Sequence, residues 1–312
     1  MKLRGIGFGK VLSASGAQGF FGEGYWFHPY LHPFGLNFHG VTFVAKTTTL
    51  HARQGNLPLK EDFSPRELTP SCIIVKLWQG IMLNAVGLSG PGAKNLFWTG
   101  NWQRREKPFF LSFMSIAASA KERAEELLAF TKIFAIHLPY FRTKVGLQIN
   151  YSCPNVGLHP DALLDEVGKG LSIASRLGIP LMPKFNLLIP VELARDISSI
   201  PSCDALCISN TIPYGQLPDR INWQKLFGPI SPLQKYGGGG LSGKPLLPLL
   251  LEWLEKAHQV GLAKPLNAGG GILSLADAKQ VMDRGAASVF LGSIASLRPW
   301  RVAKIARTIN DD

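Results

Sequence analysis

The chain has 312 residues, 46% hydrophobic and 17% charged, a balance that excludes a disordered chain and supports a sizeable buried core. Its 33 Gly and 22 Pro are spread from end to end, which excludes collagen-like and coiled-coil architectures and predicts many short elements with tight connections. The formal charge of +12, from 33 Lys and Arg against 21 Asp and Glu, predicts a field that attracts anions such as phosphates and carboxylates. The basic residues are scattered and no zinc-finger or RRM-type motif accompanies them, so nucleic acid is not an expected partner.

The N-terminus, Met1-Lys2-Leu3-Arg4, is basic, but Gly5, Gly7, Gly9 and Lys10 stand where a secretory signal would be apolar, so a cytoplasmic protein is expected. A first strand is predicted over 11–14, running into Ser15-Gly16. The longest uncharged stretch, Gly24 to Ala45, holds Pro29, Pro33, Asn37 and three histidines, which a lipid-facing helix does not carry cheaply. No integral membrane contact is expected. Within it His28 and His32 have helical ligand spacing, but Pro29 and Pro33 spoil the helix that would align them on a metal. A second strand, 41–45, leads into Lys46-Thr47-Thr48-Thr49. Residues 51–107 are rich in Pro, Gly and Trp without a sustained helical period, and so long an excursion is expected to cover a substrate. The basic-aromatic run Trp98 to Lys107 at its end reads as a solvated loop.

Six further strands are predicted over 109–113, 145–149, 180–184, 204–209, 265–268 and 287–291. Helical patterns separate them. Ser119 and Glu122 have capping-box spacing before an apolar run, Ser274 and Asp277 repeat the device, and Pro245 to Val260 carries Leu246, Leu249, Leu250, Trp253, Leu254 and Ala257 on one side. Gly178 and Gly261 read as helix stops. Eight strands alternating with helices predict an α/β chain folded as one (β/α)8 TIM barrel domain over 1–312, with the inserted excursion over its mouth. Cys72, Cys153, Cys203 and Cys207 have neither disulfide-scaffold density nor zinc spacing, which fits a reducing compartment.

In such a barrel the reactive groups stand where strands end and the following loops begin. The strand ends here deliver Ser15-Gly16, Lys46-Thr47, Asn150 to Asn155, Lys184 and Asn210-Thr211 to one mouth. Gly269-Gly270-Gly271 and Gly292-Ser293 end the last two strands, where backbone amides can approach a phosphate. Asparagines present donors and acceptors together and suit a flat heterocycle such as a pyrimidine, and lysines at the mouth neutralise a carboxylate or a reduced flavin. Cys153, between Asn150 and Asn155, is a candidate proton-abstracting base, set against the commoner inert buried thiol.

Asn150-Tyr151-Ser152-Cys153-Pro154-Asn155 resembles the signature of the dihydroorotate dehydrogenase family, with cysteine where the quinone-linked class has serine. The resemblance extends through Ala14-Ser15-Gly16, Ala45 to Leu50, Arg53 to Asn56, Leu83 to Leu88, Asn210-Thr211-Ile212, Gly239 to Gly243 and Gly270-Gly271-Ile272. It implies an FMN-containing barrel that oxidises dihydroorotate to orotate in pyrimidine biosynthesis. Cys153 then corresponds to the base and Lys46 to the partner of the substrate carboxylate. Asn84, Asn150, Asn155, Asn210 and Thr211 match the pyrimidine-binding set, with Gly87-Leu88 supplying backbone contacts. Ala14, Ser15, Gly16, Thr47, Lys184, Gly243, Gly270, Gly271, Gly292 and Ser293 match FMN-contacting positions, which Lys46, Asn84 and Asn150 share.

The resemblance also implies a homodimer. Leu83 to Gly92 is similar to the class 1 branch that works with an iron-sulfur and FAD-containing partner and NAD, whereas Gly239 to Pro245 is similar to the quinone-linked class. Ala14 stands too near the start for the latter's membrane-associated extension, so fumarate, or NAD through a partner subunit, is the expected acceptor. Three departures bear on the acceptor and the covering loops more than on the flavin. Val156 to Pro160 lacks the longer glycine-containing stretch, Lys184-Phe185-Asn186 replaces a Pro-containing continuation, and residues 57–80 differ from a compact segment. Two rivals remain: a flavin barrel for uracil-type pyrimidines, which would need no carboxylate partner such as Lys46, and a non-catalytic phosphate-binding or nucleic-acid-binding barrel.

Overall fold

In the computed structural model, which describes residues 1–151 and 160–311, the strands follow one another as short segments. A hairpin of β1 (Lys2–Leu3) and β2 (Ile6–Gly7) precedes the first barrel strand, β3 (Val11–Ser13). Then come β4 (Ile73–Lys76), β5 (Ile81–Asn84), β6 (Phe109–Phe113), β7 (Val145–Asn150), β8 (Leu181–Asn186) and β9 (Leu206–Asn210). The chain ends with β10 (Ile212–Pro213), β11 (Gly240–Gly243), β12 (Leu266–Ala268) and β13 (Ser288–Leu291). A seven-stranded parallel sheet runs β3-β13-β12-β9-β8-β7-β6, the α/β TIM-barrel-like arrangement expected from the strand–helix alternation.

The second expected strand, 41–45, is not a regular one, yet its segment occupies the eighth place. On one side the Thr42 amide donates to Val11 and the Ser13 amide to Thr42, at 2.9 and 2.8 Å. On the other, Ala45 donates to Phe110 and Thr48 to Ser112, each at 2.9 Å, and isolated bridges join Leu12 to Thr42 and Val44 to Phe110. The ladder is interrupted because the Val44 amide donates to the Ser13 hydroxyl at 3.0 Å instead of to a backbone carbonyl. The edges of the sheet are thereby bridged without a continuous strand.

Period-two alternation sorts the strand residues into two layers. On β6, Phe109, Leu111 and Phe113 pack outward against the helices, with Phe113 and Phe130 stacked at 4.1 Å. Phe110 turns inward and joins Leu12, Val44, Met182, Cys207 and Phe290 in a second, interior cluster. Leu3 and Phe8 from the N-terminal hairpin region close that cluster, the Phe8 and Phe110 rings lying 4.3 Å apart. The helix signals hold: at helix Ala120–His137 the Ser119 hydroxyl accepts from the Glu122 amide and the Glu122 carboxylate accepts from the Ser119 amide. The helix Leu246–Gln259 buries Leu246, Leu250, Trp253, Leu254 and Ala257.

The excursion is more ordered than its composition suggests. Ile73–Lys76 and Ile81–Asn84 form an antiparallel hairpin, extended by β11 and β10 into a four-stranded sheet of order β10-β11-β5-β4. This sheet supplies Ile73, Met82, Asn84 and Gly240 to the wall of the main cavity. The hairpin is absent from the expected strands, although two β-branched or apolar runs separated by a short Gly-containing turn are its ordinary signal.

Candidate active site

The cavity at the C-terminal ends of the barrel strands has a volume of about 1550 Å³. Alternation puts Lys184 on the inward side of β8, two residues beyond Met182 of the interior cluster. Its side chain is buried at the cavity floor, with its ammonium 5.3 Å from the Phe290 ring centroid and 3.5 Å from the Ser15 hydroxyl. Among the described residues it has no carboxylate partner, and burial pushes its pKa down. A cation held this way is a receptor for negative charge brought by a ligand.

Thr47 links two of the strand ends, its hydroxyl lying 2.9 Å from Ser112 Oγ and 3.2 Å from Ser15 Oγ. Asn150 stands in register with Lys184 across β7 and β8. Its Oδ1 accepts from Asn210 Nδ2 at 3.2 Å, and Asn210 Oδ1 in turn accepts from the Thr211 amide at 3.0 Å. Thus two side-chain amides from strands β7 and β9 are fixed in orientation by one another. Asn84 reaches the same cavity from β5, its Nδ2 3.5 Å from the Gly240 carbonyl.

Lys46 follows the irregular closing segment. Its ammonium donates to the Ser89 carbonyl and sits 4.5 Å from the Phe20 ring centroid. Burial pushes its pKa down to about 8, with Glu23 partly opposing the shift. The two lysines therefore approach the cavity from different strand ends, one at the floor and one on the wall.

On the opposite wall the glycine turns pack against one another. Gly271 has φ +78°, and a Cβ on it would lie 2.6 Å from the Leu247 nitrogen and 2.8 Å from the Gly243 carbonyl. Only glycine permits that approach of the loop after β12 to the first turn of the helix Leu246–Gln259. Gly270, Gly271, Gly292 and Ser293 all line the cavity, which gives backbone surface suited to a phosphate. Gly243 does not line it. It lies behind the wall, where a Cβ would meet the Gly80 carbonyl at 2.2 Å.

Ala14, Ser15, Gly16, Lys46, Thr47, Asn84, Gly87, Leu88, Asn150, Lys184, Asn210 and Thr211 also line this one cavity. Cys153 and Asn155 lie outside the described residues. The sequence profile described as Dihydroorotate dehydrogenase matches residues 10–312. The chain belongs to the dihydroorotate dehydrogenase family.

Family relatives include "Dihydroorotate dehydrogenase A (fumarate)" of Lactobacillus delbrueckii subsp. bulgaricus, 30% identical over 291 residues, or 91% of this chain and 82% of the relative. The chain is also 30% identical to "Dihydroorotate dehydrogenase B (NAD(+)), catalytic subunit" of Desulforudis audaxviator, across 95% of this chain and 86% of that one. A crystal structure of the Eimeria tenella dihydroorotate dehydrogenase in complex with ferulenol superposes with a TM-score of 0.68 at 17% identity, over 99% of this chain and 83% of that one, and supports the fold. As a dihydroorotate dehydrogenase family member the protein is an oxidoreductase. No helix among the described residues is long and apolar enough to cross a membrane, and no cluster of His, Cys, Asp and Glu among them could hold a metal ion.

Several cavity residues escaped the candidate set. Asn186 lines the cavity because β8 runs two residues beyond Lys184, and its Oδ1 accepts from the Leu188 amide at 3.0 Å. Arg53 and Asn56 line it too, tying the excursion down through bonds to the Gly87 and Ala85 carbonyls, both 2.8 Å. These two had a signal in the Arg53 to Asn56 motif. Tyr25 and His28 come from the uncharged stretch, which composition alone did not connect to the site. Tyr25 donates to the Gly16 carbonyl, and burial lowers the His28 pKa to about 4, so this ring is neutral near pH 7.

Proposed function

We propose that this cavity binds FMN and oxidises dihydroorotate to orotate in pyrimidine biosynthesis. The observation that carries the reading is the buried Lys184 ammonium, which has no carboxylate partner among the described residues and faces the same cavity as the Asn150–Asn210 pair and Lys46. That donor set fits the group: a fixed cation suits the electron-rich edge of a reduced isoalloxazine, and the Gly270-Gly271 and Gly292-Ser293 turns suit its phosphate. FMN, when bound, supplies an acceptor for hydride from C6 of dihydroorotate.

The chain's own residues do the remaining work. Lys46 holds the substrate carboxylate, and Asn84, Asn150, Asn155 and Asn210 with Thr211 bond the alternating carbonyl and NH groups of the pyrimidine. Gly87 and Leu88 contribute backbone contacts. Cys153, as thiolate, takes the proton from C5, which the adjacent carbonyl acidifies. Ala14, Ser15, Gly16 and Thr47 border the flavin, and Gly243 shapes its cradle from behind. The hydride carries the electron pair from C6, the proton leaves C5, and the C5–C6 double bond of orotate forms.

The visible spectrum of the purified protein tests this directly. A flavin spectrum that bleaches on anaerobic addition of dihydroorotate is expected. A colourless protein that FMN does not reconstitute, or a flavin that dihydroorotate leaves oxidised, would overturn it.

A further inference from the structure

We propose that a second pocket, on the outer flank of the barrel, binds a nucleoside monophosphate whose base carries an amino group. The pocket has a volume of about 460 Å³, within the range of small-molecule sites. It lies where the helices Ala93–Trp98 and Ala120–His137 end, and it shares no lining residue with the active-site cavity. The last turn of the second helix leads back to the start of β7, the end of the barrel away from the mouth.

The basic-aromatic run Trp98 to Lys107 builds one side of the pocket, and it is anchored rather than loosely solvated. Trp102 is buried with its Nε1 donating to the Phe20 carbonyl at 2.6 Å, and the Arg105 guanidinium lies 3.9 Å from the Phe43 ring centroid. These anchors leave Trp98 and Arg104 outward. Trp98 is 79% exposed and Tyr140, from the turn after the second helix, 70%. Between the helices the His137 ring stacks on Phe97 at 5.1 Å and stands edge-on to Trp98 at 6.5 Å. A rigid platform with open indole and phenol rings suits the face of a nucleobase.

The polar groups suit the rest of the ligand. Arg104 is held in place by Asn101 Oδ1 and the Thr99 carbonyl, both accepting from its Nη2. Arg142, whose amide donates to the Gln103 carbonyl at 3.0 Å, brings a second guanidinium to the same pocket. No Asp or Glu lines the pocket among the described residues, so the pair is open to a phosphate. Gln103 is 8% exposed: its Nε2 donates to the Phe97 carbonyl at 2.8 Å and lies 3.3 Å from His137 Nδ1, while its Oε1 has no partner among the described residues. A buried carbonyl oxygen left unpaired is costly, and an amino group on a bound base supplies the missing donor.

Isothermal titration of the purified protein with adenosine monophosphate tests the site. Saturable binding is expected, about tenfold or more tighter than that of adenosine, of ribose phosphate or of purine riboside monophosphate, which lacks the amino group. Trp98→Ala and Arg142→Ala should each weaken it by about tenfold, with melting temperature and orotate affinity unchanged. A nucleotide held in the active-site cavity would instead leave both variants at wild-type affinity, so the outcome does not depend on what fills the mouth. Absence of binding at millimolar ligand, equal affinity of wild type and either variant, or equal affinity for adenosine and its monophosphate would overturn the proposal. So would an oligoadenylate that binds more than about tenfold tighter than the monophosphate, since the flank would then be a strand-binding surface.

Discussion

The inward faces of the barrel strands change character within two residues. Phe110 is followed on the same face of β6 by Ser112, Met182 on β8 by Lys184, and Cys207 on β9 by Ser209. The lower layer is a dry apolar cluster whose members need only volume and shape. The upper layer is polar, and each group in it requires a partner or a ligand: Ser112 has Thr47, Ser209 donates to the Gly269 carbonyl at 2.9 Å, and Lys184 has a hydroxyl at 3.5 Å. One backbone ladder therefore supports both regions, but dispersion and burial hold the first while charge and hydrogen bonding define the second. Stability and chemistry are separable along a single strand.

The largest expected effect lies in the lower layer. Phe110 is fully buried against Phe8, and Phe110→Ala leaves a cavity that should cost about 3–5 kcal/mol of unfolding free energy. Denaturant titration measures it. Orotate affinity of the protein that remains folded should change little, because Phe110 contributes nothing to the cavity wall; a loss of affinity comparable to the loss of stability would break the separation.

Cys153→Ala is the converse experiment. Flavin reduction by dihydroorotate should fall by roughly 10²-fold or more, the usual contribution of a positioned base. Bound FMN, orotate affinity and melting temperature should stay near wild type. Stopped-flow bleaching of the FMN-loaded variant measures the rate, and a near-wild-type rate with reduced stability would return Cys153 to a packing role.

A smaller effect belongs to the helix shell. Ser119→Ala removes one half of the capping box at helix Ala120–His137 and should cost about 1 kcal/mol, read by thermal or urea unfolding. Activity should not respond, since the helix lies outside the barrel. A change in activity would show that the shell and the upper layer are coupled.

Sequence reading recovered the two layers unequally, for physical reasons. Strands such as Phe109–Phe113 and Val145–Asn150 are buried along their whole length and rich in Phe, Leu, Ile and Val, so they stand out as runs. Most of the site was legible because a barrel collects its strand ends at one mouth, so Lys46, Asn150, Lys184 and Asn210 could be placed together without coordinates. The 41–45 segment misled because a Ser13 side chain takes the place of a ladder carbonyl, which periodicity cannot register. Asn186 was missed by a two-residue error in a strand end. The β4–β5 hairpin was hidden by flanking Pro and Gly, and with it the placement of Asn84 opposite Gly240, which depends on pairing between distant segments.

The last perturbation needs no substitution, and concerns pH. Burial lowers the Lys46 pKa to about 8, whereas in the unfolded chain an ordinary lysine titrates near 10.4. Between those values the unfolded chain retains a proton that the folded, unliganded protein has lost, so the Lys46 contribution to stability rises with pH across that window. Below about 8 the ammonium is charged in both states and its burial cost is present in full. An anionic ligand acts in the opposite direction. Orotate favours charged Lys46, so its affinity should be flat below pH 8 and fall above it, by about tenfold between pH 7 and pH 9 if the bound pKa is restored to the ordinary lysine range. Isothermal titration in buffers of different ionisation enthalpy should show proton uptake on binding near pH 9 and little near pH 6. Lys46→Met should lower orotate affinity at neutral pH and flatten this profile. If wild-type and Lys46→Met proteins share the same pH dependence, the carboxylate is held elsewhere on the upper layer.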